Sequence, residues 1–278
     1  MKYIGPHLSI AGGVFNAPDR AVACGANGFA IFTKNQRQWQ APEVTDEEAR
    51  EFADHLKAGG FSPKAVLPHD SYLINLGNPD NEKRKRATEA FVAEMHRVEA
   101  FGLTALNFHP GSSLGAPMDE TLVRIAEAIK IALKETERVV AVIENTAGQG
   151  NVAGGNLQEL QRLLELVGDD ARCGVCIDTC HAYAAGFDIA TPEGLDAFWK
   201  EFDERIGFKA LRGMHLNDTK SKLGSHLDRH APIGDGFLGW DTFLRIVKDS
   251  RIDEIPMILE TPDDTLWPEE TRRLREAL

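Results

Sequence analysis

The sequence predicts an α/β fold, a single (β/α)8 TIM barrel, and three observations lead to it. Short apolar runs alternate with amphipathic segments along the 278 residues, which is typical of a parallel sheet covered by helices. Eight such strand–helix units in about 250 residues match a closed barrel. No Pro/Gly/Ser-rich linker or charge block divides the chain, so we expect one domain over residues 1–278. A doubly wound open sheet is the alternative, but no Gly-x-Gly-x-x-Gly turn follows the first run.

The predicted strands are apolar and often β-branched, as expected for strands that are covered on both faces. They span residues 3–8, 28–32, 64–68, 105–108, 139–143, 173–177, 211–216 and 256–259. Helices are predicted between them. Thr45-Asp46-Glu47-Glu48 is a capping-box sequence, and Thr191-Pro192 places proline at a first helical position. Residues 82–100 and 120–134 have the pattern of long amphipathic helices.

Composition excludes several classes of protein. The longest aliphatic run, residues 139–143, is far shorter than the roughly 20 residues of a membrane-spanning helix. The N-terminus has no apolar signal segment, and four cysteines are too few for a disulfide scaffold. We therefore expect a cytoplasmic protein with reduced thiols. The formal charge of −12 argues against a broad basic surface for nucleic acid, because nonspecific binding depends on clustered positive charge.

Side chains that can bind a metal stand at the ends of most predicted strands, and in such a barrel the site lies at those carboxyl ends. His, Asp and Glu supply the ligands that zinc or manganese accept. A single histidine at a strand end is more often an ordinary polar residue than a metal ligand. Here, however, six consecutive strands each end in a His, Asp or Glu, and all six ends lie at the same rim. These ends carry His69, His109, Glu144, Asp178, His215 and Glu260, and the following loops add His181, Asp228 and His230.

The nine residues predict more than one metal ion. Four carboxylates buried together would repel one another without cations. Five imidazoles and four carboxylates fit two close divalent cations that share a carboxylate, with a third ion nearby. Among the other histidines, we place His7 beside the pocket or behind a ligand and rate His226 a weaker ligand candidate. His55 and His96 fall in helical segments as surface or packing residues.

The cysteine spacing Cys173-x-x-Cys176 and Cys176-x-x-x-Cys180 leaves two interpretations open. It is compatible with a structural zinc or a redox pair. The strand pattern favours packing instead, because Cys176 shares a face with Asp178 and then lies one layer inside the barrel, where cysteine behaves as a small apolar residue.

Seven segments, in order, give the chain a specific resemblance. They are FTKNQRQW (32–39), PHDSYLINLG (68–77), NFHPG (107–111), IENTAGQG (143–150), CIDTCH (176–181), MHLND (214–218) and DRH (228–230). With these segments the sequence closely resembles the endonuclease IV family of abasic-site (AP) endonucleases over residues 3–260. Thr219 and His226 depart from the residues expected there, which affects only local loop contacts.

The resemblance implies a DNA-repair hydrolase, a deoxyribonuclease IV, that uses trinuclear zinc catalysis. Such an enzyme cuts the phosphodiester 5′ to an abasic site, leaves a 3′-hydroxyl and a 5′-deoxyribose phosphate, and also trims blocked 3′ ends. It implies three Zn²⁺ per chain, with Mn²⁺ possible in one site. The implied ligands are His69, His109 and Glu144 for the first ion, Glu144, Asp178, His215 and Glu260 for the second, and His181, Asp228 and His230 for the third. Glu144 and Glu260 are the implied catalytic residues.

The implied partner is double-stranded DNA with abasic sites or blocked 3′ ends. We expect no membrane partner, and we expect a monomer because nothing in the sequence demands more. Arg37, Tyr72 and Leu73 are the implied DNA-binding residues, since an apolar wedge with an arginine suits a protein that kinks its duplex and extrudes a nucleotide. The basic run at residues 83–86 starts a long helix, and we interpret it as a solvated helix face.

Two other functions remain possible at this point. A metal-dependent sugar isomerase or epimerase on the same barrel also gathers His, Asp and Glu at strand ends, but it needs one or two metals. A noncatalytic zinc-binding module uses a closed set of four ligands, often cysteines. The number of zinc ions per chain separates these alternatives.

Overall fold

A curled parallel sheet forms the centre of the structure, a computed structural model that describes residues 1–169 and 171–278. Its strands are β1 (Tyr3–Leu8), β2 (Ala30–Ile31), β3 (Ala105–Phe108), β4 (Val140–Glu144), β5 (Cys173–Asp178), β6 (Leu211–His215) and β9 (Pro256–Leu259). Two short strands, β7 (Asp218–Thr219) and β8 (His230–Ala231), form an antiparallel hairpin in the loop after β6. The order in the sheet is β2–β1–β9–β6–β5–β4–β3, and every neighbouring pair is parallel.

The third predicted strand, residues 64–68, differs from the prediction. It begins as a 3-10 turn at Pro63–Ala65 and then forms only isolated bridges to its neighbours. The N–H of His69 donates to a β2 carbonyl (2.8 Å), and the N–H of Asn107 in β3 donates to the carbonyl of Pro68 (2.8 Å). Proline has no N–H, so a regular ladder is interrupted there. The segment still contacts both edge strands, and the predicted barrel fold is confirmed.

Nine helices among the described residues surround the sheet. They are α1 (Asn16–Ala23), α2 (Asp46–Ala58), α3 (Asn81–Ala100), α4 (Met118–Glu135), α5 (Leu157–Val167), α6 (Thr179–Ala185), α7 (Pro192–Arg205), α8 (Gly239–Lys248) and α9 (Trp267–Glu276). One more helix is present than the eight predicted, because β5 is followed by both α6 and α7. The capping box at Thr45 is confirmed, with Glu48 N–H donating to the threonine hydroxyl (3.2 Å).

The apolar residues form two cores. A large one fills the layer between the sheet and the helices, and a small one inside the barrel contains Ala30, Leu67, Val142, Cys176 and Ile258. The predicted packing of Cys176 inside the barrel is therefore confirmed. The four cysteines, all within the described ranges, form no disulfide.

The carboxyl ends of the strands meet at one rim, and the strand register brings candidate ligands side by side there. Asp178 at the end of β5 pairs with His215 at the end of β6, and Glu144 at the end of β4 pairs with Cys176. The fold therefore places three of the candidate ligands on adjacent strands. Within the described part of the chain, no helix has the length and apolarity to cross a membrane.

Candidate metal centre

The structure brings all nine sequence-predicted ligands together at this rim. Their donor atoms form overlapping groups within which every atom lies less than 4.8 Å from the others. These groups are His69, His109 and Glu144; Glu144, Asp178 and His215; Asp178, His181 and His230; and Cys180, Asp228 and His230. Glu260 joins them through an oxygen 3.3 Å from His215 Nδ1. Glu144 and Asp178 each belong to two groups, so they can link neighbouring ions.

Local structure fixes where these side chains stand. Asp178 ends β5 and caps α6, where its carboxylate accepts the N–H of His181 (2.7 Å). This cap forces the strand-end carboxylate and the first-turn histidine to face the same space. Asp228 and His230 come from the hairpin that follows β6, which folds back over the rim.

Backbone carbonyls orient three of the imidazoles. When Nδ1–H donates to a carbonyl, the Nε2 lone pair is left for a metal, a common arrangement of zinc-binding histidines. Each of these Nε2 atoms points into the cluster of carboxylates. The Nδ1 atoms of His69, His181 and His230 lie 2.7, 3.0 and 3.2 Å from the carbonyl oxygens of Asp70, Asn145 and Glu260.

The distances between donor atoms fit a shared ligand sphere. Ligands of a tetrahedral zinc at about 2.0–2.2 Å lie about 3.3–3.6 Å from each other, whereas a charge-assisted hydrogen bond is about 2.7–2.9 Å long. Here the shortest nitrogen–oxygen separations are 3.3 Å for His69–Glu144, 3.5 Å for His109–Glu144, 3.2 Å for His215–Glu144, 3.3 Å for His181–Asp228 and 3.2 Å for His230–Asp228. In addition, the buried Nε2 of His230 forms no hydrogen bond. The donor set therefore fits divalent cations.

The electrostatics of the rim favour bound cations as well. Burial alone would raise the pKa of Glu144, but His215 and His109 outweigh it and hold that pKa well below its usual range. Burial lowers the pKa of His230, but the Asp178 and Asp228 carboxylates outweigh it and raise that pKa to about 9. Protons on the histidines thus balance the carboxylates in the metal-free protein, and cations can replace them.

Sequence reasoning missed two asparagines that hold the carboxylates in place. Asn107 donates to Glu144 (2.6 Å), and Asn217 donates to Asp178 (2.7 Å) while accepting the N–H of Glu260 (2.8 Å). Each stands two residues from a strand-end histidine, His109 or His215. The period-two alternation of a strand, which puts such pairs on one face, could have identified them.

The histidines that are not among the nine candidate ligands have different surroundings. His7 Nδ1 lies 2.7 Å from Glu260 Oε1, so His7 stands behind a candidate ligand, one of the two positions expected for it. His226 is bound through Nδ1 to the carbonyl of Ala147 (3.0 Å) and belongs to none of the donor groups. His55 pairs with Asp19 at the surface (2.8 Å).

Two cysteines lie beside the cluster. Cys176 is paired with Glu144 in the strand register, and burial raises the pKa of its thiol to about 11. Cys180 lies 3.9 Å from Asp228 through its sulfur. Cys176 therefore packs in the barrel beside the strand that ends in Glu144.

The three predicted DNA-binding residues lie exposed on loops beside the cluster. Tyr72 is 60% and Leu73 is 38% exposed, although both carry large apolar groups. The Tyr72 ring centre lies 5.1 Å from that of His69 and 5.5 Å from that of His109. Arg37 is exposed, and its guanidinium makes no hydrogen bond with any described residue. All three are free to contact a ligand on the rim.

The basic run at the start of α3 is exposed or half-exposed, as expected for a solvated face. Two of its members also have structural contacts. Arg84 donates to the carbonyl of Asn78 (2.8 Å), and the Arg86 guanidinium lies 4.2 Å above the Trp39 ring. Arg86 thereby contacts the loop that carries Arg37.

The loop after the hairpin is organised by one buried carboxylate, Asp218. It accepts five backbone N–H groups, from Thr219 (2.7 Å), Gly234 (2.9 Å), Gly236 (3.2 Å), Leu238 (2.9 Å) and Gly239 (3.1 Å). A Cβ at Gly236 would lie 2.3 Å from an Asp218 oxygen, so only glycine fits there. Because Asp218 belongs to β7, this contact fixes the hairpin that carries Asp228 and His230.

Replacing Asp218 by asparagine is expected to lower the free energy of unfolding by about 3 kcal/mol, because an amide N–H would face backbone N–H groups that now donate to a carboxylate. Urea unfolding measures the change. The control is Asp235→Asn in the exposed part of the same loop, which should leave stability within about 0.5 kcal/mol of wild type. Equal stability of the two variants would contradict this role of Asp218.

Comparisons with known proteins agree with the fold and the cluster. Residues 18–278 match the family of xylose isomerase-like TIM barrels. The probable endonuclease 4 of Chlorobium phaeovibrioides is 51% identical over 275 residues, which cover 99% of each chain. Endonuclease IV from Thermus thermophilus superposes with a TM-score of 0.87 at 32% identity and covers 99% of this chain and 98% of that chain.

A D-tagatose 3-epimerase-like protein also superposes, with a TM-score of 0.73 at 15% identity over 99% of this chain and 96% of that chain. At that identity the likeness shows the shared barrel alone. The probable endonuclease 4 is far more similar, at 51% identity over the full length, and this match confirms the resemblance found in the sequence motifs. The chain belongs to the endonuclease IV family of abasic-site endonucleases.

Proposed function

We propose that this chain is a zinc-dependent DNA-repair hydrolase that cleaves the phosphodiester 5′ to abasic sites, leaves a 3′-hydroxyl and a 5′-deoxyribose phosphate, and trims blocked 3′ ends. The observation that carries the proposal is the cluster of nine donor residues on one rim, with the separations of a ligand sphere. Membership of the endonuclease IV family supports the choice of DNA as substrate.

Three zinc ions would be held by three sets of side chains, and Mn²⁺ could replace one of them. The sets are His69, His109 and Glu144; Glu144, Asp178, His215 and Glu260; and His181, Asp228 and His230. When bound, zinc would supply positive charge for the phosphate oxygens and lower the pKa of a water. We infer catalytic roles for Glu144 and Glu260, since both lie where two or more histidines converge.

The chain's own residues keep the rim carboxylates ionised and oriented. Asn107 donates an amide N–H to Glu144 and Asn217 donates one to Asp178, which favours the charged forms. His7 and the backbone N–H of Glu260 fix the position of that glutamate from two sides. The rim is thus organised before substrate arrives, which reduces the reorganisation needed during reaction.

A cavity of about 440 Å³ opens beside the cluster and gives the substrate a place to bind. Its lining includes Phe32, Tyr72, His230, Glu260 and Trp267. It combines aromatic walls with two of the candidate ligands. We infer that it receives the extruded abasic deoxyribose and its phosphate, while Tyr72 and Leu73 fill the space left in the base stack.

The acidic composition is compatible with this substrate. Four of the negative charges are candidate metal ligands, and three Zn²⁺ would place positive charge on the rim where phosphate must bind. Affinity would then depend on local potential and on the deformability of the damaged site, and binding to intact duplex should be weak. We further infer a cytoplasmic monomer that acts as one barrel domain over residues 1–278.

A sugar isomerase or epimerase is the alternative function. The shared barrel supports this alternative. The nine donor residues argue against it, because one or two metals need fewer ligands. Elemental analysis of the purified protein separates the two functions. We expect about three zinc ions per chain, whereas one or two ions would favour the isomerase.

The double variant Arg37→Ala, Tyr72→Ala is expected to bind a duplex with one abasic site at least about tenfold more weakly than wild type, because stacking of an aromatic side chain on a base contributes about 1–3 kcal/mol. Fluorescence anisotropy measures the dissociation constant, and zinc content should not change. Arg50→Ala, an exposed arginine of α2, is the control. Wild-type affinity in the double variant would refute the wedge.

A further inference from the structure

The loop after β2 is attached to helix α3 at both of its ends. We name residues 33–42 the recognition segment, because it carries Arg37. The guanidinium of Arg97, in the last turns of α3, donates to the carbonyl of Thr33 (2.7 Å) and to that of Pro42 (2.6 Å). One planar side chain thus holds the two ends of a ten-residue segment at a fixed separation.

One turn earlier on α3, Glu94 binds the same segment from inside the protein. Glu94 is 1% exposed, and one of its oxygens lies 2.7 Å from Nζ of Lys34, which is 8% exposed. Its other oxygen accepts the hydroxyl of Thr33. The Lys34 ammonium also donates to the carbonyl of Gln38 (2.9 Å), so the ion pair reaches the residue after Arg37.

Between these attachments a cavity of about 640 Å³ is lined by both the segment and α3, in part by Trp39, Val44, Ala93 and His96. Trp39 packs against the apolar core, and the Arg86 guanidinium lies over its ring. Glu94, Lys34 and Arg97 supply the polar attachments that set the path of the segment on either side of Trp39.

The segment is also tied to the loop of Tyr72 and Leu73. The hydroxyl of Ser71 donates to the carbonyl of Gln36 (2.6 Å), one residue before Arg37. A shift of the recognition segment would therefore move both loops that carry the candidate DNA-binding side chains.

A buried ion pair is weak evidence for stability, because the cost of desolvating two charges offsets their attraction. Such a pair can instead select one geometry, since each charge must keep its partner. Neither Glu94 nor Arg97 belongs to the metal centre. Their side-chain hydrogen bonds and ion pair lie with the recognition segment, and Glu94 also lies near the buried carboxyl of Asp70.

We propose that Glu94 and Arg97 are positioning residues for damaged DNA: with Lys34 they form a clamp on α3 that sets the recognition segment and, through Ser71, the Tyr72 loop. The clamp acts on substrate affinity and leaves the metal centre unchanged. This inference rests on the proposed function, since it assumes that the rim binds abasic DNA.

The test compares Glu94→Gln with Glu89→Gln, an exposed glutamate of the same helix. Glutamine can still accept the Thr33 hydroxyl but leaves Lys34 without an opposite charge. We expect Glu94→Gln to raise KM and Kd for an abasic duplex about tenfold or more, with kcat within about twofold and zinc content unchanged. Glu89→Gln should match wild type. Arg97→Lys, at a half-buried site, keeps the charge but loses the planar fork that reaches both carbonyls, so it should raise KM in the same way even if Glu94→Gln fails to fold.

A double variant separates positioning from stability. Lys34→Met with Glu94→Leu removes both buried charges, so we expect stability near or above wild type while KM stays raised. A wild-type KM in both this variant and Arg97→Lys would overturn the clamp. A lower kcat and a lower zinc content with an unchanged KM would overturn it as well. If wild type itself does not bind the abasic duplex, the proposed function fails together with the clamp; if wild type binds and the variants match it, the clamp alone fails.

Discussion

Replacing Glu260 by glutamine is expected to reduce the rate of cleavage at an abasic site about a thousandfold or more while the barrel stays folded. The Glu260 carboxylate lies 3.3 Å from His215 and 2.7 Å from His7, so it is one of the charges around which the candidate second zinc site is built. Glutamine keeps the size of the side chain and removes the charge. The loss corresponds to several kilocalories of transition-state stabilisation by the metal centre.

The rate is measured in single turnover with an end-labelled duplex, and circular dichroism shows whether the fold is kept. Glu276→Gln is the control, an exposed glutamate of α9 that lines a cavity with Met1 and Lys2 at the opposite end of the barrel. It should cleave like wild type. Cleavage at the wild-type rate by Glu260→Gln would remove Glu260 from the catalytic site.

Removing zinc with a chelator is expected to lower the melting temperature by about 10 °C or more. A ligand that binds only the folded state stabilises it by about 4 kcal/mol when its free concentration is a thousandfold above Kd, and each kcal/mol shifts Tm by about 2–4 °C in a chain of this size. Without cations the rim holds Glu144, Asp178 and His215 in full burial, balanced only by protons. Scanning calorimetry before and after chelation measures the difference.

The effect of zinc removal should grow with pH. The pKa of His230 is raised to about 9 in the metal-free protein, from 6.5 for an ordinary histidine. A raised pKa stabilises the folded state fully below pH 6.5, and that stabilisation is lost as the pH rises to about 9. The metal-free protein should therefore lose stability between pH 6.5 and 9, whereas the zinc-loaded protein should not, because zinc replaces the proton. Re-addition of zinc should restore Tm. A Tm that is unaffected by chelation at pH 8.5 would contradict a metal centre at this rim.

Sequence reasoning identified the barrel because the strand runs are short, apolar and evenly spaced. It identified the cluster because His69, His109, Glu144, Asp178 and His215 stand directly at strand ends, where the fold leaves few places for a side chain to point. The hairpin residues Asp228 and His230 were candidates by residue type, but their assignment to a third ion required the family resemblance, since loops have no periodicity that fixes their position.

Contacts between distant elements could not be predicted. The third predicted strand is interrupted at Pro68. A proline in a sequence shows that one N–H is missing, but the effect on the sheet depends on the positions of β2 and β3, which the sequence does not show. The bonds of Asp218 to glycines 16 to 21 residues later depend on how a loop closes. The Glu94 contacts join residues 60 and 61 positions apart, and a glutamate within a helix gives no sign of such partners in the sequence.

The most direct test of the proposed function uses a duplex with one abasic site, labelled at the 5′ end of the damaged strand, and zinc-loaded protein. We expect a single cut on the 5′ side of the abasic site, with a product that a DNA polymerase extends because it ends in a 3′-hydroxyl. An intact damaged strand after incubation with protein that carries about three zinc ions per chain would contradict the proposed function.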